Sequence, residues 1–260
     1  MSARRLDRAL VERGLARSRS QAQELIRAGR VTLDGREDLR ASDLVEDGDR
    51  LEARTDPWVS RAAHKLLGAL DDLGEGLPPL AGARVLDAGS STGGFTQVLL
   101  ERGVARVHAV DVGTDQLVPL LRDHPRVDVH ERTNLRELAL EHVGGVAVDL
   151  VVADVSFISL TLLLERFAAV TADTGAWLLM VKPQFEVGRD ALGKDGVVRD
   201  PALRAQAVRA VVAAGEPLGW HPRATAPSRL PGPAGNAEVF VHLTRTPHVG
   251  PGRTWDASLC

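Results

Sequence analysis

The stretch LDAGSSTGGF, residues 86–95, decides the fold of this chain. It joins an apolar run that predicts a buried strand to the periodic run FTQVLLERG, which predicts a helix. Glycine-rich turns between a strand and a helix are typical of sheets that bind nucleotides. Against the dinucleotide pattern G-x-G-x-x-G, the turn places Gly89, Ser91 and Gly94 in the three glycine slots. Because the middle glycine is missing, the turn disfavours a dinucleotide.

Strand-like and helical patterns alternate on both sides of this turn. This alternation predicts an α/β fold with a Rossmann-like, doubly wound parallel sheet. Near the C-terminus the alternating runs around a Pro/Gly loop predict a terminal antiparallel hairpin. Helices are predicted over 60–74, 93–103, 160–171 and 201–215, strands over 83–89, 106–113, 149–156 and 177–183, and the hairpin over 221–230 and 237–245.

The N-terminal segment has its own charge pattern. Residues 1–33 carry eight arginines against three acids, whereas residues 34–56 carry four arginines against nine acids. Two short amphipathic helices are predicted, the second capped by Ser18 or Ser20, followed by the small strand and turn RVTLDG. We therefore expect a small α+β domain over 1–56, a linker at 57–60, a second domain over 61–245 and a tail over 246–260.

Composition excludes several classes of function. The one cysteine is the last residue, Cys260, so an internal disulfide, a cysteine zinc cluster and a cysteine nucleophile are not expected, and no metal is predicted. No apolar run reaches the length of a membrane span, and the charged N-terminus lacks the apolar core of a signal peptide. We expect a cytoplasmic protein without a membrane partner, and a monomer is favoured.

The glycine turn also has the pattern D-x-G-x-x-x-G-G. This pattern resembles the first motif of S-adenosylmethionine-dependent methyltransferases, whose glycines let the chain pass under the amino acid part of the cofactor. Asp111 ends the next strand, where an acid hydrogen-bonds both ribose hydroxyls. A tight turn with a helix-capping Asp111 is the alternative. The resemblance implies S-adenosylmethionine as the cofactor, held by Asp87, Gly89, Ser91, Thr92, Gly93, Gly94, Phe95, Asp111 and Val112.

The residues also restrict which atom is methylated. Methylation at carbon 5 of a pyrimidine needs a cysteine nucleophile, which the chain does not supply. Enzymes that methylate base amines resemble one another in a D/N-P-P-aromatic motif, whereas this chain has Asp154-Val-Ser-Phe157. A lysine-based site remains, because Lys65, Lys182 and Lys194 are the only lysines in an arginine-rich chain. The carboxyl ends of parallel strands converge, which places Asp154 beside Lys182.

Five motifs, SRAAHKL, LDAGSSTGGF, ADVSFISL, VKPQFE and GNAEVFVHL, resemble the RrmJ/FtsJ-type ribose 2'-O-methyltransferases and specifically the TlyA family of rRNA methyltransferases. The resemblance covers residues 4 to about 245 and implies a catalytic tetrad of Lys65, Asp154, Lys182 and Glu238. A ribose hydroxyl is a poor nucleophile that needs its proton removed or its oxygen oriented, and arginine cannot act as the base. We therefore expect a neutral Lys182 as the base, favoured by the charge of Lys65 and oriented by the carboxylates. Taken singly, each residue is also compatible with an ordinary surface role.

The N-terminal segment resembles the S4 RNA-binding domain, notably in RLD (5–7), Ser18-Arg19, LI (25–26), Gly29, Val31 and Gly35. Arginines on adjacent helices can contact phosphates of folded RNA, and with no tyrosine and 3% aromatic residues a base-stacking surface is not expected. A solvated basic face is the alternative. The candidate RNA-binding residues are Arg4, Arg5, Arg17, Ser18, Arg19 and Arg30.

The TlyA resemblance implies methylation of cytidine ribose in ribosomal RNA, and for a chain with this longer N-terminal helix it implies both the 16S and the 23S molecules. The expected partners are therefore ribosomal RNA and the ribosomal subunits. Three other functions stay open: an RNA-binding or assembly protein without turnover, a membrane-active haemolysin, and a small-molecule methyltransferase.

Overall fold

The structure is a computed structural model that describes residues 3–16, 18–54, 56–188, 192–193 and 195–245. The chain divides into two compact units, Met1–Pro57 and Trp58–Cys260. The linker predicted at 57–60 falls at this division. The predicted tail, 246–260, lies outside the described residues.

The first unit is a small α+β fold. Strand Arg4–Arg5 pairs antiparallel with Leu44–Val45, and Val31–Leu33 pairs antiparallel with Leu51–Ala53. The two helices of this unit bury their apolar faces in one shared core. Ser18 caps the second helix, because its hydroxyl accepts a hydrogen bond from Gln21 N at 3.2 Å. The elements in chain order are β1 (Arg4–Arg5), α1 (Leu6–Glu12), α2 (Arg19–Arg27), β2 (Val31–Leu33), β3 (Leu44–Val45) and β4 (Leu51–Ala53).

The second unit alternates helices and strands. The helices are α3 (Ala62–Leu73), α4 (Gly94–Glu101), α5 (Pro119–Arg122), α6 (Leu164–Val170), α7 (Pro183–Glu186) and α8 (Pro201–Gly215). The strands are β5 (Arg84–Ala88), β6 (Arg106–Val110), β7 (Val127–His130), β8 (Val148–Ala153), β9 (Thr171–Val181), β10 (His221–Pro227) and β11 (Val239–Thr244).

These seven strands form one sheet in the order β10-β11-β9-β8-β5-β6-β7. The strands from β9 to β7 are parallel neighbours, whereas β11 runs antiparallel to both β9 and β10. Alternate residues of each strand face opposite sides, so that Leu86 and Val151 belong to one apolar core and Val85 and Val152 to the other. Helices α6 and α8 cover the first core, and α3 and α4 cover the second. The predicted doubly wound sheet with a terminal antiparallel hairpin is confirmed.

The structure differs from the predicted elements in several places: the short helices α5 and α7 were not predicted, and β9 begins at Thr171, before the predicted start at 177. Strand β7 was not predicted, because it has only four residues and two of them, Asp128 and His130, are polar. The helix predicted over 160–171 begins as a separate 3-10 turn, Leu160–Leu162, held by the side chain of Ser159. Strand β2 pairs mainly with β4, although the turn predicted after it closes through a bridge between Leu33 and Arg36. None of the helices in the described ranges is long and apolar enough to cross a lipid bilayer.

Buried His242 makes the second unit sensitive to acid. It is 1% exposed on β11, and neither ring nitrogen has a hydrogen-bond partner among the described residues. Burial, with a smaller contribution from nearby Arg223, lowers the pKa of His242 from 6.5 to about 4. The unfolded chain therefore binds one more proton than the folded chain between these two pH values. Stability is present above pH 6.5 and is lost as the pH falls towards 4.

We predict that His242→Leu flattens this acid dependence. Urea unfolding across the same pH range should show the free energy of unfolding of the wild type falling by on the order of 3 kcal/mol more than that of the variant. The comparison uses the change with pH, so any constant cost of the substitution cancels. An identical pH dependence in the two proteins would contradict the assignment.

Candidate active site and nucleic-acid interface

A cavity of about 270 Å³ lies at the carboxyl edge of the sheet in the second unit. It is the edge at which β5, β8 and β9 end, and the amino end of α3 borders it. Its lining combines backbone of the glycine turn with charged side chains: Ser60, Arg61, Ala62, Lys65, Gly89, Ser90, Ser91, Thr92, Gly94, Phe95, Asp154, Ser156, Lys182 and Pro233.

Two glycines of the turn after β5 have conformations that a side chain would not tolerate. Gly89 has a φ of 87°, and a Cβ there would lie 2.7 Å from the carbonyl oxygen of Asp154. Gly93 has a φ of 100°, and a Cβ there would lie 2.7 Å from Leu117 Cδ1. Both glycines therefore let the turn pack closely against its protein neighbours, the end of β8 at Gly89 and Leu117 at Gly93. Gly89 and Gly94 border the cavity, where backbone without a side chain leaves room for a ligand.

Asp87 lies beneath this turn and is fully buried. The Thr96 hydroxyl donates a 2.6 Å hydrogen bond to Asp87 Oδ2, while Oδ1 has no hydrogen-bond partner among the described residues. Burial raises the pKa of Asp87 to about 7, although the hydrogen bond from Thr96 opposes the change. A positively charged ligand above the turn would favour the ionised form.

Asp111 follows β6 and connects two loops at this edge. Its carboxylate accepts hydrogen bonds from Ser91 N at 2.9 Å and from Gly113 N at 2.7 Å. Asp111 thereby fixes the glycine turn against the loop after β6. The next residue, Val112, is 73% exposed and offers an apolar surface. Of the residues predicted to hold the cofactor, Asp87, Gly93, Asp111 and Val112 are not among the described lining residues of the cavity, and the other five are.

Lys182 follows β9 and points to the end of β8. Its Nζ lies 2.6 Å from Asp154 Oδ1, an ion pair by distance that lacks the angle of a hydrogen bond. The same Nζ donates a 2.8 Å hydrogen bond to the hydroxyl of Ser156. Lys182 is 8% exposed, so the ammonium group is almost enclosed by these two partners and the cavity.

Lys65 on α3 is paired with Glu238. Lys65 Nζ donates a hydrogen bond of 2.5 Å to Glu238 Oε2, and the two residues are 5% and 2% exposed. The register of β11 places Val239 opposite Val181, so Glu238 and Lys182 stand at the same point of the sheet edge. Glu238 Oε1 is buried and has no hydrogen-bond partner within the described ranges. The structure therefore brings the four predicted catalytic residues to one edge as two lysine–carboxylate pairs.

Sequence reasoning missed six residues that line this cavity: Ser60, Arg61, Ala62, Ser90, Ser156 and Pro233. Ser156 contacts Lys182 directly. Arg61 stands four residues before Lys65, hence on the same face of α3, and its guanidinium donates a hydrogen bond to the carbonyl of Pro231. That spacing was a signal for Arg61. Ser156 could have been found from its position two residues after Asp154.

Buried charges are tolerated here because each has an opposite partner. The two pairs together carry no net charge. Lys65 and Lys182 both line the cavity, and Lys182 Nζ has two neighbours that fix its position. An amine held in this way can orient a hydroxyl and, when unprotonated, accept its proton, which suits transfer of a group to a hydroxyl.

The candidate RNA-binding arginines of the first unit are exposed, yet each described one faces a carboxylate. Arg4 pairs with Glu12 at 2.8 Å, and Arg30 lies 4.0 Å from Asp56. Two others, Arg5 and Arg19, share one carboxylate. Ser18 is occupied as the cap of α2. The remaining candidate, Arg17, and also Lys194 of the second unit lie outside the described residues.

Comparisons with known proteins agree with this division of the chain. The model of the FtsJ-like methyltransferase family matches residues 58–245, and the model of the S4 domain matches residues 4–51. The 16S/23S rRNA (cytidine-2'-O)-methyltransferase TlyA of Mycobacterium tuberculosis is 52% identical over 92% of this chain and 89% of its own.

Two further relatives show similarity over nearly the whole chain. The 23S rRNA (cytidine-2'-O)-methyltransferase TlyA of Campylobacter jejuni is 35% identical over 90% of this chain and 97% of its own. A solved structure from Streptococcus thermophilus, described as a candidate hemolysin, has a TM-score of 0.73 and 35% identity over 95% of this chain and 90% of that chain.

The raised pKa of Asp87 predicts that affinity for S-adenosylmethionine depends on pH. The sulfonium charge favours an ionised carboxylate beneath the turn, so binding should weaken by roughly tenfold from about pH 7.5 to about pH 6 as Asp87 takes up a proton. Isothermal titration calorimetry would measure the affinity. Asp87→Asn is the control, because the amide keeps an acceptor for Thr96 but does not titrate; an equally steep dependence in this variant would refute the role of Asp87.

Proposed function

The chain belongs to the TlyA family of FtsJ-like methyltransferases, and on that premise we propose that it methylates the 2'-hydroxyl of cytidine ribose in ribosomal RNA. One observation carries the proposal. Lys65, Asp154, Lys182 and Glu238 come from four separate parts of the second unit and meet at one edge of the sheet beside the glycine turn. The methyl donor is S-adenosylmethionine, as in the methyltransferases of this fold.

The proposed mechanism assigns one task to each pair. In its unprotonated form Lys182 Nζ accepts the proton of the ribose 2'-hydroxyl, and Asp154 and Ser156 hold that nitrogen toward the cavity. Glu238 holds Lys65, whose ammonium group orients the substrate.

The cofactor fits the glycine turn. Gly89 and Gly94 leave backbone bare where it borders the cavity, and Asp111, which follows β6, is the carboxylate proposed to hydrogen-bond the ribose of the cofactor. S-adenosylmethionine supplies an electrophilic methyl group when bound. The residues of this chain bind it, bring the hydroxyl to it and remove the proton.

The first unit supports RNA as the substrate. The S4 domain match, residues 4–51, covers all the candidate arginines, and the Mycobacterium tuberculosis relative is named for both 16S and 23S rRNA. The Campylobacter jejuni relative is named for 23S rRNA alone. The higher identity to the first relative favours both ribosomal subunits as substrates here. A ribosomal substrate implies a cytoplasmic site of action, and we propose that the chain acts as a monomer.

Two other functions are distinguishable by experiment. An RNA-binding protein without turnover would bind subunits and cofactor but transfer no label, and a haemolysin would release dye from liposomes. The buried, fully paired tetrad favours an enzyme, because four ionisable side chains at one enclosed edge are an expensive arrangement for a scaffold alone.

The proposed role of Lys182 as the base predicts that even the conservative substitution Lys182→Arg strongly lowers methylation. Lys182→Arg should lower the rate of methylation by at least about 100-fold, since arginine does not give up its proton and cannot act as a base. Thermal unfolding and binding of S-adenosylmethionine should stay close to the wild type. The matched control is Lys194→Arg, the same substitution at another of the three lysines. Full turnover by Lys182→Arg would exclude Lys182 as the base.

Dual specificity predicts where the label appears. With tritiated S-adenosylmethionine, purified small and large ribosomal subunits should both become labelled by the wild type, and neither by Lys182→Ala. Label in one subunit only would restrict the proposal to that subunit. No label in either, with binding intact, would replace the enzyme by the RNA-binding alternative.

A further inference from the structure

Asp7 is the one residue in the first turn of α1 that is both charged and fully buried. Its carboxylate receives hydrogen bonds from three side chains. Arg5 donates from Nε at 3.2 Å and from Nη2 at 3.3 Å, Arg19 donates from Nε at 2.8 Å, and Gln23 donates from Nε2 at 3.1 Å. The carboxylate thus joins the start of α1 to the first two turns of α2.

The buried carboxylate of Asp7 holds the guanidinium groups of both Arg5 and Arg19. Arg5 and Arg19 keep side-chain exposures of 42% and 51%, while the carboxylate they share has none. Arg19 uses only Nε, so both of its terminal nitrogens have no partner among the described residues, and Arg5 likewise keeps Nη1. The hydrogen bonds from Arg5, Arg19 and Gln23 hold the pKa of Asp7 well below its usual range, although burial opposes them. The carboxylate is therefore charged at neutral pH.

A basic surface built for charge alone would not contain this carboxylate. Residues 1–33 carry eight arginines, and Asp7 places a negative charge directly beneath two of them, which weakens their attraction for phosphate. The advantage that remains is geometric. A long arginine side chain loses much rotamer freedom on binding, and a fixed carboxylate removes part of that loss before the ligand arrives.

We propose that Asp7 is a positioning residue that presents Arg5 and Arg19 as a preformed pair of guanidinium groups for neighbouring phosphates of the RNA backbone. The inference rests on the proposed function, because it takes ribosomal RNA as the ligand of the first unit. Arg19 gives Asp7 only its inner Nε–H and offers both terminal nitrogens to solvent, the geometry that bidentate phosphate contacts require, while Arg5 gives Nε and Nη2 and offers Nη1.

Geometry and charge predict opposite signs for Asp7→Asn. The substitution removes one negative charge, so a purely electrostatic effect would tighten RNA binding. Loss of the charge-assisted hydrogen bonds would release both arginines, and we expect binding to weaken by about tenfold. The matched control is Glu24→Gln on α2, which removes the same charge from an exposed carboxylate with no side-chain partner in the part of the chain that the structure describes. This control should bind as well as the wild type or slightly better.

The experiment measures affinity of the full chain for purified ribosomal subunits across a series of salt concentrations, with thermal unfolding as the check on folding. Arg19→Lys is the second variant, because it keeps the positive charge on an exposed side chain but loses the planar fork. It should bind about as weakly as Asp7→Asn, and combining the two changes should add little further loss.

The outcomes separate the inference from the function on which it rests. If the wild type binds neither subunit, the proposed function fails. If Arg19→Ala weakens binding whereas Asp7→Asn and Arg19→Lys do not, the RNA surface stands and the positioning role of Asp7 is overturned. If Asp7→Asn unfolds the first unit, Arg19→Lys decides alone, and unchanged binding by that variant overturns the inference.

Discussion

The reversed direction of β11 is the constraint on which the proposed active site depends. In a purely parallel sheet, all carboxyl ends meet at one edge and all amino ends at the other. Because β11 lies antiparallel beside β9, its amino end reaches the edge where β8 and β9 end. Glu238 precedes β11 and therefore joins Asp154 and Lys182 there, although it is distant from both in sequence. A parallel strand in this place would present a residue from its other end.

Charge pairing then determines which chemistry the carboxyl edge of the sheet can support. Lys65 with Glu238 and Lys182 with Asp154 form two buried pairs, and either lysine alone would be an uncompensated buried charge. The first unit uses the same device for another purpose. Asp7 is buried beneath two exposed arginines, so in both units a carboxylate holds a cation in a defined direction.

Sequence patterns predicted the elements well and the contacts poorly. The glycine turn, the alternation and the terminal hairpin follow from residue type and period, so the doubly wound sheet could be predicted, as could the strand-end positions of Asp154 and Lys182. The predicted pairing of Lys182 with Asp154 is confirmed. The pairing of Lys65 with Glu238 could not be predicted, because the two are 173 residues apart and only the sheet order brings them together. Strand β7 could not be predicted either, because an edge strand of four residues is too short for its side-chain pattern to establish a period.

The proposed function depends on which atom of the RNA receives the methyl group. The most direct test incubates ribosomal subunits with the wild type and S-adenosylmethionine bearing a deuterated methyl group, digests the RNA to nucleosides and analyses them by mass spectrometry. The account predicts the heavy methyl on the ribose of cytidine, and its absence when Lys182→Arg replaces the wild type. A heavy methyl on a base, or on ribosomal protein, would contradict the account.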